Sequence, residues 1–305
     1  MVIKLLCAAL LSLGATAQAQ APAAKPARSA ADILAQSPAS DWRSPDPRDT
    51  LLMELQTARG PGQVLIELAP RFAPRHVANI RSLARAGYYD GLAVVRVQDN
   101  FVTQWGDPDA DKPDKARPLG EAQASLPAEF SIAYKDLPIS RMPDVDGWAP
   151  VSGFVDGFPV AAQPEADKAW LTHCYGMVGA GRGNAPDSST GSSLYTVIGH
   201  APRGLDLNIT LVGRVIKGME LLASLPRGGG AMGFYEQAEQ RSPIQRVRLL
   251  ADMPDAERPR LQLLRTDSKT WLELLDARRH RSGWFVHSPA HIEVCSAGVP
   301  SRPAP

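Results

Sequence analysis

Three residues of unlike chemistry stand close together in this chain: a cation at Arg96, an aromatic ring at Phe101 and an amide at Gln104. Leu92, Val94 and Arg96 recur at period two, which puts them on one face of an extended segment. An arginine among apolar neighbours, followed by a ring and an amide, makes an apolar patch carrying a fixed charge and a hydrogen-bonding group. That combination suits a peptide-like ligand. It also suits ordinary sheet, in which the arginine snorkels off an apolar surface. The six histidines, His76, His173, His200, His280, His287 and His291, show no metal-ligand spacing, and Pro289 argues against a helix that would align His287 with His291. The glycine-rich stretch GAGRGNAPDSSTG has no Walker pattern, so a phosphate cradle is not expected. No motif supports a serine-histidine-acid or cysteine-histidine arrangement. No metal and no cofactor are expected.

The elements that must position these groups can be read in outline. Gly87 to Asp107 reads as a turn, a strand and an aromatic-bearing segment closed by Gly106 and Asp107. Ahead of it, LLMEL and QVLIEL, separated by QTARGPG, form a hairpin with Glu54 and Glu67 facing solvent. Pro74 to Ala86 is a helix: Val77, Ile80, Leu83 and Ala84 recur at three and four residues, and Gly87 stops it. His76 and Arg81 fall off that stripe and receive no role. From Asp107 to Thr172 periodicity is lost among prolines, with one short strand at Ala128 to Tyr134; Trp148, Phe154, Phe158 and Trp170 are too many large apolar groups for an unanchored linker. Strands resume in SSLYTVIG, in Leu205 to Val215 after a turn, and in Ser242 to Asp252, with a short helix at Gly218 to Leu225. Thr266 or Ser268 caps a last helix running to about Arg279, buried through Trp271, Leu274 and Leu275; Trp284, Phe285 and Ile292 are expected to dock back, and Gly298 to Pro305 to be disordered.

A chain of 305 residues with 44% apolar content can bury a sizeable core. Lys and Arg total 33 against 32 for Asp and Glu, which gives no basic surface for nucleic acid. Residues 1–21 read as a signal peptide: Lys4 is the basic start, Leu5 to Leu13 the apolar run, and Ala17, Ala19 and Ala21 allow cleavage after Ala19 or Ala21. The run is too short for a membrane span. A periplasmic or secreted protein is expected, followed over 22–47 by a flexible leader rich in Ala, Pro, Ser and Asp. In an oxidising compartment the remaining Cys174 and Cys295 either pair with each other or stay free, one buried and one in a loose tail.

Three separated blocks carry a resemblance: GYYDGLAVVRVQDNFVTQWGD, GSSLYTVIG and LDLNITLVGRVIKGMELL. In order and spacing they resemble the cyclophilin family of peptidyl-prolyl cis-trans isomerases, in a divergent exported bacterial form. The resemblance implies a mainly β fold, a closed antiparallel eight-stranded β-barrel capped by helices, over 48–252. It leaves 108–172 as a long insertion, packed on the barrel surface at the edge of the cleft, and 253–305 as a C-terminal helical extension packed on the same domain. A monomer acting on proline-containing unfolded or extended polypeptides is implied, with neither nucleic acid nor a membrane span.

The resemblance also assigns residues. Arg96 matches the arginine that holds the proline carbonyl and faces the twisting amide nitrogen. Phe101 matches the floor of the proline pocket, and Gln104 the glutamine that bonds the substrate backbone. Val102 stands where many relatives carry methionine, Tyr195 where they carry phenylalanine, Leu205 at a leucine position, and Gly181 and Arg182 at backbone-contacting positions. Ser193 replaces a substrate-facing glutamine, Ile209 a histidine or tyrosine, Gly204 a tryptophan and Trp105 a glycine, while Val94 and Val95 replace phenylalanine and histidine. The proline socket is thus kept while its polar rim is thinned, and activity is expected to be weak or narrow. Two other readings are a peptide-binding or chaperone module with little or no catalysis, and an envelope protein whose cleft is vestigial. Trp105 separates them from the isomerase: folded over the cleft it favours either, turned away it leaves catalysis intact.

Overall fold

The computed structural model describes residues 28–304. The expected signal peptide and residues 22–27 of the expected leader lie outside the described residues. Helix α1 (Ala30–Ala35) and the short strand β1 (Trp42–Arg43) precede the hairpin of β2 (Thr50–Thr57) and β3 (Gly60–Leu68). Helix α2 (Pro74–Arg85) leads to β4 (Ala93–Val97) and β5 (Val102–Gly106). Then come β6 (Ser140–Arg141), β7 (Val151–Val155), β8 (Phe158–Gln163) and β9 (Lys168–Leu171), followed by β10 (Met177–Ala180), β11 (Leu194–Val197) and β12 (Leu211–Lys217). Helix α3 (Met219–Ala223), β13 (Ser242–Leu249), β14 (Leu261–Leu264), α4 (Lys269–Arg279) and β15 (Ser301–Pro303) complete the order.

Eight of these strands close into an antiparallel barrel in the order β10, β11, β5, β4, β13, β2, β3, β12, which leaves it no free edge. Leu51, Met53 and Leu55 point into it with Val64, Ile66 and Leu68, and Val77, Ile80, Leu83 and Ala84 of α2 join the same core. The run LLMEL is continuous rather than alternating because β2 is buried on both sides. Leu52 and Leu65 face outward onto Leu250, Met253, Leu261 and Leu263.

A second apolar core lies outside the barrel. Strands β6, β7, β8 and β9 of the insertion form their own sheet, where the sequence showed no periodicity, because most are short and prolines break the intervening chain. Phe154 and Phe158 of that sheet pack with Trp271, Leu274 and Leu275 of α4, Ile33 of α1 and Trp42 of β1, and Trp271 meets Phe154 edge-on at 4.9 Å. The stretch 128–134 contributes only an isolated bridge from Ile132 to Ala169, not the expected strand. Ser268 is the cap of α4, accepting from the Trp271 amide.

Residues 28–47 do not form the expected flexible leader. Ser29 and Asp32 cap α1 reciprocally, and β1 pairs with β14. The apolar partners of Ile33 and Trp42 lie mostly more than a hundred residues downstream, so local composition could not reveal them. The tail departs from expectation in part: β15 pairs with β14 where disorder was expected, and Ile292 is buried as expected, but Trp284, 88% exposed, and Phe285, also exposed, do not dock. Cys174 and Cys295 are joined as a disulfide across 121 residues of sequence, tying this tail to the chain entering β10.

Two polar side chains read as lying away from the core, Glu67 and His76, are buried. Glu67 accepts from Arg214 at 2.9 Å and from Arg43 at 2.6 Å, while Arg214 also donates to the Gly157 carbonyl at 2.5 Å, so one network joins barrel, leader and insertion. Burial works to raise the Glu67 carboxyl, but the two arginines hold it below the usual glutamate range. His76 is buried on α2, with Glu129 Oε2 2.7 Å from its Nδ1 and Ser189 Oγ 2.8 Å from its Nε2. Glu129 also accepts from the Arg75 and His76 amides at 3.0 and 2.9 Å, capping a helix whose own N-cap, Ala73, has no side-chain acceptor. The serine-histidine-acid set that no motif announced is therefore a lock between insertion, helix and loop. Ser189 is 1% exposed, and a substrate has no way to it.

Candidate active site

The strand that carries Arg96 is irregular at the point that matters. Val94 pairs with Trp105 and Arg96 with Gln104, so Val95 is an extra residue in β4, a β-bulge. Strict period two would send Arg96 to the side of Leu92 and Val94, as the sequence suggested. The bulge instead leaves Leu92, Val94 and Val97 in the barrel core and turns Arg96 to the outer face.

There Arg96 is only partly exposed. Its Nε donates to the Met232 carbonyl at 2.7 Å, one terminal nitrogen to Gln104 Oε1 at 3.2 Å, and the other to Gln98 Oε1. Its guanidinium lies 5.5 Å from the Phe101 ring centroid and 5.3 Å from that of Phe234. No carboxylate pairs with it among the described residues. Burial lowers its pKa from the usual arginine value, yet a guanidinium stays protonated. The result is a cation held by neutral oxygens, with three of five N–H groups engaged and the rest free to donate.

Beside it lies an apolar patch. Val102, Tyr195 and Val197 are buried together, with Phe101 and Ile209 packed on them, so four of the residues assigned by resemblance meet in one cluster. Val197 belongs to it as well and was not foreseen. Leu205 is half-buried in the turn Arg203–Leu205 and is not among the residues packed on this cluster.

The polar side of the site is a short chain of bonds. Gln104 Oε1 accepts from Arg96, and its Nε2 donates to Ser193 Oγ at 3.0 Å. Gly181 sits against both, since a β-carbon there would come 3.2 Å from Ser193 Oγ and 3.3 Å from Gln104 Nε2. Arg182 is occupied elsewhere, donating to the carbonyls of Asn208, Gly183 and Asn184 at 2.9, 2.8 and 3.1 Å, so its side chain fastens the glycine-rich loop. Trp105 is turned away from this face and buried in the barrel core.

Several residues at the site escaped sequence reasoning. Phe234 forms a bridge to Arg96, and Met232 and Gln98 hold its guanidinium. The one clue was glycine: β-carbons at Gly228 and Gly233 would lie 2.1 and 2.7 Å from backbone atoms, a close approach of this segment to itself and to Gln98. His173 is buried behind Tyr195, its Nε2 2.9 Å from the tyrosine hydroxyl and its Nδ1 2.9 Å from Asp206 Oδ1. Asp206 also accepts from Arg203 Nε at 2.6 Å and Trp170 Nε1 at 3.2 Å. Burial would raise its carboxyl, but the His173 and Arg203 bonds hold it below the usual aspartate range.

A family profile described as cyclophilin type peptidyl-prolyl cis-trans isomerase/CLD matches residues 52–250. A probable peptidyl-prolyl cis-trans isomerase of Brucella suis biovar 1 is 29% identical over 186 residues, covering 61% of this chain and 76% of that protein. A peptidyl-prolyl cis-trans isomerase of Schizosaccharomyces pombe is 48% identical over 56 residues, 18% of this chain and 35% of that protein. The crystal structure of a cyclophilin from Hirschia baltica superposes with a TM-score of 0.68 at 25% identity, covering 89% of this chain and 96% of that one. Profile, relatives and barrel agree, and the chain belongs to the cyclophilin-type peptidyl-prolyl cis-trans isomerases.

Proposed function

We propose that the outer face of β4, β5 and β11 is where this isomerase works, with Arg96, Phe101 and Gln104 as its central groups and Val102, Tyr195 and Ile209 as the socket for the proline ring. Rotation about an X-Pro bond moves no proton and makes no bond; its barrier is about 20 kcal/mol because amide resonance is lost as the bond twists. The nitrogen lone pair then becomes available to a donor, and a donor that bonds it only in the twisted state lowers the barrier. Arg96 supplies that donor, stiffened by three bonds to the protein, and its remaining N–H groups also serve the proline carbonyl. Gln104 keeps one amide hydrogen for the substrate backbone, the other being spent on Ser193. The observation that carries the reading is the unpaired guanidinium set over Phe101 at the edge of the apolar cluster.

The substrates in this reading are extended or unfolded segments of exported proteins, and the enzyme acts as a monomer outside the cytoplasm. Export is supported by the apolar run Leu5 to Leu13 with its small residues after it, and by the Cys174–Cys295 pairing. Exchange between cis and trans forms of an Ala-Pro peptide, followed by NMR at increasing enzyme concentration, tests the activity. Exchange is expected to rise in proportion to enzyme, and an uncatalysed rate throughout contradicts the reading.

A further inference from the structure

Asp206 receives four hydrogen bonds: from the His173 amide at 2.9 Å, from His173 Nδ1 at 2.9 Å, from Arg203 and from Trp170. An ionised carboxylate only accepts, so the neutral imidazole carries its hydrogen on Nδ1 and presents the Nε2 lone pair to Tyr195. The tyrosine hydroxyl therefore donates to Nε2 at 2.9 Å, and burial keeps that hydroxyl protonated. All three side chains are nearly closed to solvent, His173 fully so. Tyr195 is the cross-strand partner of Gly179, and a β-carbon there would come 2.3 Å from its Cζ and hydroxyl, so the ring lies flat across the glycine. The ring could rotate if nothing held its far end. His173 holds it.

We propose that His173 and Asp206 are positioning residues for the proline socket: Asp206 fixes the histidine tautomer, and His173 pins the Tyr195 ring as the socket wall. The chain of contacts continues outward. Arg203, bonded to Asp206, is also paired with Asp146 at 3.0 Å, and Trp170 closes on Asp206 from β9, so the insertion is fastened to the Asp206 end of this chain of bonds. Asp146, Trp170 and His173 all lie in or directly after the stretch the barrel does not need, and the insertion is in this way a brace for the socket. The inference rests on the reading that Tyr195 lines the substrate site.

The test is the isomerase assay on wild type, Y195F, H173L, H173Q and the double variant Y195F/H173L, with kcat and KM determined separately. Y195F keeps the ring and removes only the tether; it is expected to raise KM by about three- to tenfold with a smaller change in kcat, the size of one hydrogen bond. H173L is expected to do the same, H173Q to recover part of the loss because its amide reaches the Nε2 position, and the double variant to be no worse than Y195F. Equal effects of H173L in both backgrounds, or a Y195F enzyme with unchanged KM, overturn the proposal. Should H173L fail to fold, Y195F and H173Q decide alone. Y195A distinguishes the two levels: if it raises KM while Y195F does not, the socket stands and the tether falls; if neither acts, Tyr195 is not part of the site.

Discussion

At the scale of single residues, the site depends on what its neighbours lack. Gly179 has no side chain because the Tyr195 ring occupies that space, at 2.3 Å from where a β-carbon would stand. G179A should therefore cost about 1 to 3 kcal/mol of overpacking, a fall in melting temperature of about 2 to 10 °C, together with a raised KM for an Ala-Pro peptide. A melting temperature and KM equal to wild type would contradict the placement of the ring. Arg96 depends on its fork geometry as much as on its charge, since separate nitrogens reach Met232, Gln104 and Gln98. R96K keeps the cation but cannot hold three acceptors and donate to substrate together; a loss of at least about tenfold in kcat/KM is expected, and a fully active R96K would show that charge alone suffices.

At the scale of elements, the disulfide and the bulge show what a sequence can and cannot carry. The pairing of Cys174 with Cys295 spans 121 residues, and closing so long a loop stabilises by about 2 to 4 kcal/mol. Reductant should lower the melting temperature by about 5 to 15 °C. Two free thiols in the unreduced, denatured protein would contradict the pairing. Helix α2, the hairpin of β2 and β3 and the cap at Ser268 were legible because their signals are local: a 3.6-residue stripe, an apolar run beside a glycine-containing turn, a serine ahead of a helix. The face of Arg96 was not, because a bulge changes the period without changing composition. Resemblance, not periodicity, brought Phe101, Val102, Tyr195 and Ile209 to one patch. The insertion sheet was hidden by its short strands and prolines, while the leader and the buried His76 and His173 were illegible for another reason. Each is held by partners far along the chain, Trp42 by Leu264, His76 by Glu129 and His173 by Asp206.

At the scale of the whole molecule, leader, insertion and tail share one core outside the barrel; buried charge locks the leader and the insertion to the barrel, and the disulfide ties down the tail. Glu67, Glu129 and Asp206 each work against burial and are each held below their ordinary values by arginine, histidine or amide donors. A carboxylate depressed in the folded state contributes stability that is present above its unfolded value and is lost as pH falls through its folded one. The melting temperature should thus hold steady toward neutral pH and fall as pH drops through the ordinary glutamate value of 4.5 and aspartate value of 3.8 and below. A melting temperature unchanged down to pH 3 would contradict it. E67Q, which leaves Arg214 buried without its partner, should cost about 3 to 5 kcal/mol at neutral pH, read as a lower melting temperature. These locks serve a face of the barrel on which the Arg96 guanidinium has no carboxylate partner among the described residues, and catalysis there depends on that group. The most direct measurement is cis-trans exchange of an Ala-Pro peptide by wild type and by R96A, with circular dichroism showing that both are folded. Loss of one preorganised donor predicts a kcat/KM about 10² to 10³ lower in R96A. An R96A enzyme with wild-type exchange would place the chemistry elsewhere.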